Sequence, residues 1–336
     1  MDGAALARAG LEVETLDARG CWVVPGLIDP HAHLLGAGGE KGPATRVGEV
    51  TLDEVVSAGV TTVVGLLGSD ASTRTPKALL GKVRELDAHG LTALMYTGAM
   101  ALPPVTITGS VTDDLVFIEP VIGVAEVAIA DHRSTCPTVE ELARLCGAAH
   151  LGGLTGGKAG VVHFHLGDGR DGLTPLMELL DRTDLPPEMI YPTHITRNER
   201  VLRQSVDLAK RGCFVDTDVI ENGTSDLIAQ WVDMGGPLDR LTCSSDAHTP
   251  GGVFDNLLAC LRTLARRWGG GQARGLARAL PLFSSNVARA LQLPRKGRLA
   301  AGGDADVLVL RQESLEVAHV IARGRLMVRN GQVELR

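Results

Sequence analysis

The sequence predicts an α/β fold: a (β/α)8 barrel of the TIM type with a small, N-terminally shortened β-sandwich domain formed by both chain ends. Three observations predict it. Short apolar runs alternate with segments whose apolar residues recur at helical spacing. Eight such runs occur, enough to close a parallel sheet into a barrel. Histidines and an aspartate fall at the ends of several of them. At 336 residues the chain is too long for one small domain and suits one large barrel with an attached module. An open, doubly wound sheet is the structural rival.

The eight strand candidates span 26–33, 61–67, 92–99, 124–130, 160–166, 190–195, 213–219 and 241–246. Helical patterns between them include 139–148, 200–211 and 252–267. Residues 300–336 change character: "GGDADVLVL", "VAHVIARGRLMV" and "NGQVELR" are short β-like runs broken by Gly and Asn-Gly, a hairpin signature. A similar run fills 11–24, so the two ends are expected to pair. The expected divisions are 1–25 and 298–336 for the β domain and 26–297 for the barrel.

Composition narrows the function classes. Aromatic residues are only 3%, so the core must be built from Leu, Val, Ala and Ile. The net charge of −7 comes from interspersed acids and bases, and no basic stripe points to nucleic acid or a membrane surface. No apolar run approaches the ~20 residues that span a bilayer. Six cysteines lie scattered without a CxxC pair, which suits reduced, mostly buried thiols. No basic stretch followed by an apolar one opens the chain, so the cytoplasm is the expected location.

Four segments carry the chemistry. In "DPHAH", His31 and His33 are two apart, so on a strand both face the same way, a ready pair of metal ligands. "VVHFHLGD" repeats that spacing with His163 and His165; the one nearer the C-terminal end, His165, should reach the site, with His163 a layer lower inside the barrel. "YPTHITR" places His194 at the end of the sixth run with Arg197 just beyond. "LTCSSDAH" places Asp246 at the end of the eighth. Four histidines and an acid fill two zinc-like shells once a bridging anion is added. Two divalent ions would share a hydroxide and lower its pKa towards ~7. Asp246 would take the proton on attack and pass it to the departing nitrogen.

"PGLIDPHAH", "SSDAH" and the tail "GGDADVLVL" resemble the amidohydrolase superfamily. "HLLGAGGEKGPATR", "GVTTVVGLLGSD", "TITGSV", "ADHRS", "VVHFHLGD" and "PTHITRN" narrow the resemblance to the isoaspartyl (β-aspartyl) dipeptidases over nearly the whole chain. The resemblance implies hydrolysis of the isopeptide bond of β-aspartyl dipeptides by a homo-oligomer holding two divalent ions, expected to be Zn2+. His31 and His33 would bind the more buried ion, His165 and His194 the other, and Asp246 would complete the set. Glu40 would grip the α-amino group, Arg133 and Arg197 would hold substrate carboxylates, and Ser69 would lie in the same pocket, where the family often has Thr.

Two positions depart from the family pattern. Where the family bridges its metals with a carboxylated lysine, counting back from "DHR" reaches Glu126, itself a carboxylate; Glu119 and Lys158 do not keep that spacing. Where the family has a tyrosine that donates to the developing oxyanion, this chain has Met100, which cannot donate, with Tyr96 nearby in sequence. Losing one such donor typically costs ~100- to 1000-fold in rate. The N-terminal β segment is also shorter than is usual in the family. Two alternatives follow: the same mechanism acting on another N-acyl amino acid or a cyclic amide, and a non-catalytic scaffold. The scaffold reading predicts missing ligands, whereas every histidine and the aspartate are present.

Overall fold

The computed structural model describes residues 10, 14–220, 223–269 and 272–334. After β1 (Cys21–Pro25), which belongs to the terminal sheet, come eight barrel strands. These are β2 (Leu27–Ala32), β3 (Val60–Gly65), β4 (Thr92–Thr97), β5 (Val121–Ile129), β6 (Val161–Leu166), β7 (Ile190–Thr193), β8 (Val215–Asp218) and β9 (Leu241–Ser244). Each coincides with one of the eight expected runs. Strands β2 to β7 form one continuous parallel sheet, and β8 pairs in parallel with β9. The circle closes at two places. The Ile195 amide donates to the Asp216 carbonyl at 3.4 Å, and a parallel bridge joins Ala32 to Ala247. Seven of the eight strands are buried along their whole length, because helices cover the outside while side chains fill the inside.

The helices are α1 (Leu52–Ser57), α2 (Pro76–Ala88), α3 (Val111–Phe117), α4 (Val139–Gly156), α5 (Thr174–Arg182), α6 (Glu199–Lys210), α7 (Thr224–Asp233), α8 (Asp255–Arg267), α9 (Gln272–Ala279) and α10 (Ser285–Ala290). Their starts are written in the sequence. Thr51 with Glu54 and Thr138 with Glu141 form capping boxes at α1 and α4, and Asn198 caps α6. Each such cap contributes about 0.5–2 kcal/mol. Helix α8 buries Leu257, Cys260, Leu261 and Leu264, the i, i+3, i+4, i+7 spacing that made it legible.

The chain ends pair as expected. Strand β1 lies antiparallel to β10 (Val307–Arg311), followed by β11 (Val317–Ala322), β12 (Arg325–Arg329) and β13 (Gln332–Val333). Arg323-Gly324 and Asn330-Gly331 make the tight turns, each pair with positive φ (51° and 80°, 51° and 78°), which matches strand twist. Among the described residues this is one five-stranded sheet, where the sequence had suggested a sandwich. Helix α1 of the barrel packs against it. Of the run at 11–24, residues 21–24 are strand, 14–18 have no regular structure, and 11–13 lie outside the described residues. No helix among the described residues is long and apolar enough to cross a membrane.

Candidate active site

The C-terminal ends of the parallel strands converge on one face, and six buried side chains meet there. His31 lies within β2 and His33 just past it; Glu126 lies in β5 and His165 in β6; His194 follows β7 and Asp246 follows β9. His194 and Asp246 sit in the left-handed region at φ 62° and 50°, which costs a residue with a Cβ roughly 1–2 kcal/mol. Neighbours hold Asp246 there. The Asp246 amide donates to the His31 carbonyl at 3.1 Å, and buried Asp29 accepts from the backbone amides of Ser245 and His31 at 3.2 Å each. Burial pushes the Asp29 carboxyl up to about 7, although hydrogen bonds from Ser245 and His31 pull it back.

The cluster is tight. Asp246 Oδ1 lies 3.2 Å from His31 Nε2 and 3.1 Å from His33 Nε2. Glu126 Oε1 lies 3.1 Å from His194 Nε2, 3.8 Å from His31 Nε2 and against His165 Nδ1, while Oε2 is 3.9 Å from His33 Nε2. Burial alone would raise the pKa of both acids. For Glu126 the imidazoles of His165 and His31, and for Asp246 those of His31 and His33, outweigh it and hold the carboxyls below their usual range.

His31 Nε2, His33 Nδ1, Glu126 Oε2 and Asp246 Oδ1 are buried with no hydrogen-bond partner. A buried polar atom left so costs about 1–3 kcal/mol, so this many at one spot call for a further partner. Imidazoles and carboxylates are the donor set of a divalent cation, and His31, His33 and Asp246, like His31, Glu126 and His194, bring their ligand atoms within 4.8 Å of one another. The residues therefore fit a divalent metal. Gly68 approaches so closely that an added Cβ would lie 2.9 Å from His33 Cε1, which explains a glycine there.

A second layer orients the imidazoles. Asp218 accepts from His194 Nδ1 at 2.7 Å and leaves Nε2 facing Glu126; burial lowers the His194 pKa, but Asp218 and Glu126 together raise it to about 10. Asp131 lies 3.0 Å from His165 Nε2 and accepts both Nε and Nη2 of Arg133, at 2.9 and 2.8 Å. His163 Nε2 meets His31 Nδ1 at 3.0 Å. Sequence reasoning missed Asp131, which lies inside the quoted "ADHRS", and Asp218. For Asp218 a signal existed: Asp216 and Asp218 repeat, at the end of β8, the i, i+2 spacing of His31/His33 and His163/His165.

Above the cluster opens a cavity of about 530 Å³ lined by Glu40, Ser69, Arg133, Arg197 and Met100 as well as by His33, Glu126, His165 and Asp246. Ser69 Oγ donates to Glu40 Oε1 at 2.8 Å, and Arg133 Nη1 lies 3.8 Å from the same atom. The structure thus gathers every residue expected at the site. It does not bring Tyr96 there. Tyr96 is buried a layer below, its ring stacked on His163 at 5.6 Å, and it is not among the cavity's lining. Lys158 Nζ bonds the Ile118 carbonyl at the opposite end of the barrel, and Glu119 lies there too, just before β5 begins.

No known family model matches the sequence. Curated imidazolonepropionases match a short stretch: that of Caulobacter sp. (strain K31) is 34% identical over 90 residues, 24% of this chain and 21% of that protein. The enzyme of Cupriavidus taiwanensis is 36% identical over 83 residues, and the match spans 19% of it. Solved structures match far more. The β-aspartyl dipeptidase of Fervidobacterium islandicum AW-1 superposes with a TM-score of 0.92 at 37% identity, over 98% of this chain and 90% of that one. Its complex with a β-Asp-Leu dipeptide gives 0.89 at 37%, over 95% and 88%. A triazine hydrolase variant, at 15% identity and a TM-score of 0.64 over 96% and 86%, shares the fold alone. With its barrel, its cluster of four histidines and two acids, and its identity to these structures over nearly the whole chain, the protein belongs to the β-aspartyl dipeptidase family of the amidohydrolases.

Proposed function

We propose that this protein hydrolyses the isopeptide bond of β-aspartyl dipeptides. The observation that carries the reading is full-length similarity, at 37% identity, to an enzyme solved with β-Asp-Leu, combined with the metal-ligand cluster beneath a charged cavity. His31, His33, Glu126, His165, His194 and Asp246 would hold two divalent ions, which we take to be zinc. Such ions supply an activated water near neutral pH and Lewis-acid polarisation of the scissile carbonyl. The chain's own part is positioning and proton transfer. Asp246 accepts the proton of the attacking water and returns it to the leaving amine. A β-aspartyl dipeptide carries one ammonium and two free carboxylates; in a lining that also holds Lys41, Asp218 and the metal-ligand acids, Glu40 is placed to meet the ammonium and Arg133 and Arg197 the carboxylates. Arg133 is braced by Asp131, so its fork is already oriented. We further infer a cytoplasmic homo-oligomer, with domain divisions at 1–25, 26–297 and 298–336. Exposed Phe117 on α3 and Leu151 and Leu154 on the adjoining α4 support a contact between subunits.

A panel of β-Asp-Leu, α-Asp-Leu and N-acetyl-β-Asp-Leu, each with metal-loaded protein, tests the reading. Release of aspartate and leucine from the β-linked dipeptide is expected, with the other two far slower. Preference for either of the others would overturn it.

Two side chains in the cavity give sharper tests. Glu40→Gln should weaken kcat/KM for β-Asp-Leu by about tenfold and leave the slow N-acetylated analogue nearly unchanged. The effect falls short of the ~2–5 kcal/mol typical of a desolvated pair, because 43% of the Glu40 side chain is exposed. Equal losses on both substrates would show that Glu40 does not meet the amine. Met100 lines the cavity and Tyr96 cannot reach it, so no phenol serves the oxyanion. Met100→Tyr should therefore raise kcat on β-Asp-Leu by up to ~100-fold. An unchanged kcat with intact metal content would mean that another donor already does this work.

A further inference from the structure

One buried histidine has no part in the proposed chemistry. His163 lies inside the barrel, fully enclosed, one layer below the cluster. Its ring is held between Tyr96, stacked at 5.6 Å and 11°, and Tyr191, at 4.5 Å. Both ring nitrogens have one partner each. Nδ1 lies 2.8 Å from the Tyr191 carbonyl oxygen, and Nε2 lies 3.0 Å from His31 Nδ1.

A carbonyl oxygen can only accept, so His163 Nδ1 carries a hydrogen. In the neutral ring Nε2 is then bare and must accept, so the shared hydrogen sits on His31 Nδ1. A neutral His31 protonated at Nδ1 is bare at Nε2, the atom 3.2 Å from Asp246 Oδ1 with no hydrogen-bond partner. The Tyr191 carbonyl thus dictates the tautomer of one ring, and that ring dictates the tautomer of the next. The opposite arrangement would turn an N–H of His31 towards the place where a cation must bind.

We propose that His163 is a positioning residue that fixes His31 in the Nδ1–H tautomer, and so presents the His31 Nε2 lone pair to a divalent metal before the metal arrives. This rests on the reading of the cluster as a metal site. It differs from the Asp131 and Asp218 contacts in kind. Those partners are carboxylates that add negative charge behind the ligand; a neutral imidazole adds direction without charge. His31 already lies between Asp246 and Glu126, so a third acid behind it would add charge where two are in place.

The test has two arms. In chelator-stripped protein labelled with 15N-histidine, long-range proton–nitrogen correlation reads the tautomer of His31, assigned by the signals lost in His31→Asn. At a pH high enough to leave His31 neutral, a protonated Nδ1 and a bare Nε2 are expected; a neutral ring with its proton on Nε2 overturns the proposal. In parallel, Co2+ is titrated into wild type, His163→Gln and His163→Phe, following the visible bands and ions bound per chain. A glutamine oxygen can still accept from His31 Nδ1, so His163→Gln should bind Co2+ within about threefold of wild type. His163→Phe should weaken one site by about 10- to 100-fold. Equal affinity in the phenylalanine variant sinks the role of His163 alone. Should that variant fail to fold, the tautomer in wild type and the behaviour of His163→Gln still decide. Absence of Co2+ binding by wild type would instead sink the metal reading, and the role of His163 with it.

Discussion

Asp246→Asn should lower kcat on β-aspartyl dipeptides by about 10²- to 10⁴-fold, the range of a lost general acid–base, with the fold intact. The Asp246 side chain is 8% exposed and lies within 3.2 Å of two imidazoles. Those imidazoles keep it ionised against the pull of burial, so the site holds a carboxylate and not a carboxylic acid. Asparagine keeps the shape and one oxygen but has no basic site. The amide also fits the unusual backbone here, since Asn is among the residues that best tolerate a left-handed φ. The loss should therefore appear in kcat rather than in melting temperature. Comparable turnover by the variant, at matched metal content, would remove Asp246 from the proton path.

The second large effect is expected at Glu126. It stands between the two histidine pairs, facing His165 and His194 on one side and His31 and His33 on the other. Removing it takes away a carboxylate that reaches both halves. Glu126→Ala should lose at least one ion per chain and more than about 100-fold in activity, above the usual cost of altering a partner behind a ligand. The truncation also leaves a gap the size of a small carboxylic acid, so millimolar formate or acetate should restore part of both. Wild-type activity should be indifferent to bicarbonate, since a glutamate carries its carboxylate permanently. Full metal content in Glu126→Ala, or dependence of wild type on bicarbonate, would contradict the bridging role.

Much of this architecture was legible in the sequence, for identifiable reasons. Strands buried on both faces read as short runs of Val, Ile, Ala and Leu, and the helices between them follow the 3.6-residue period. His31 and His33 were legible because alternation on a strand puts i and i+2 on one side. The placement of site residues at the C-terminal ends of barrel strands ranked His165 above His163, as the structure does. Alternation applied equally to Asp216 and Asp218, but an aspartate near a strand end reads first as a turn or helix cap. Its role appears only when β7 and β8 lie side by side and bring His194 Nδ1 to 2.7 Å. Asp131 was hidden likewise, since its partner is 34 residues away. The β-like runs at both ends suggested a sandwich, and the sequence does not say that α1 packs against the terminal sheet. The place of Tyr96, four residues before Met100 yet a layer beneath it, depends on barrel depth, which spacing alone does not give.

On the proposed reading, the six-residue cluster binds the metals that make this chain a β-aspartyl dipeptidase. The most direct measurement returns Zn2+ stepwise to chelator-stripped protein while bound ion per chain and the rate on β-Asp-Leu are followed in the same samples. The expected result is no turnover without metal and a rate that saturates at two ions per chain. Turnover by the stripped protein, or two bound ions with no hydrolysis of β-Asp-Leu, would contradict it.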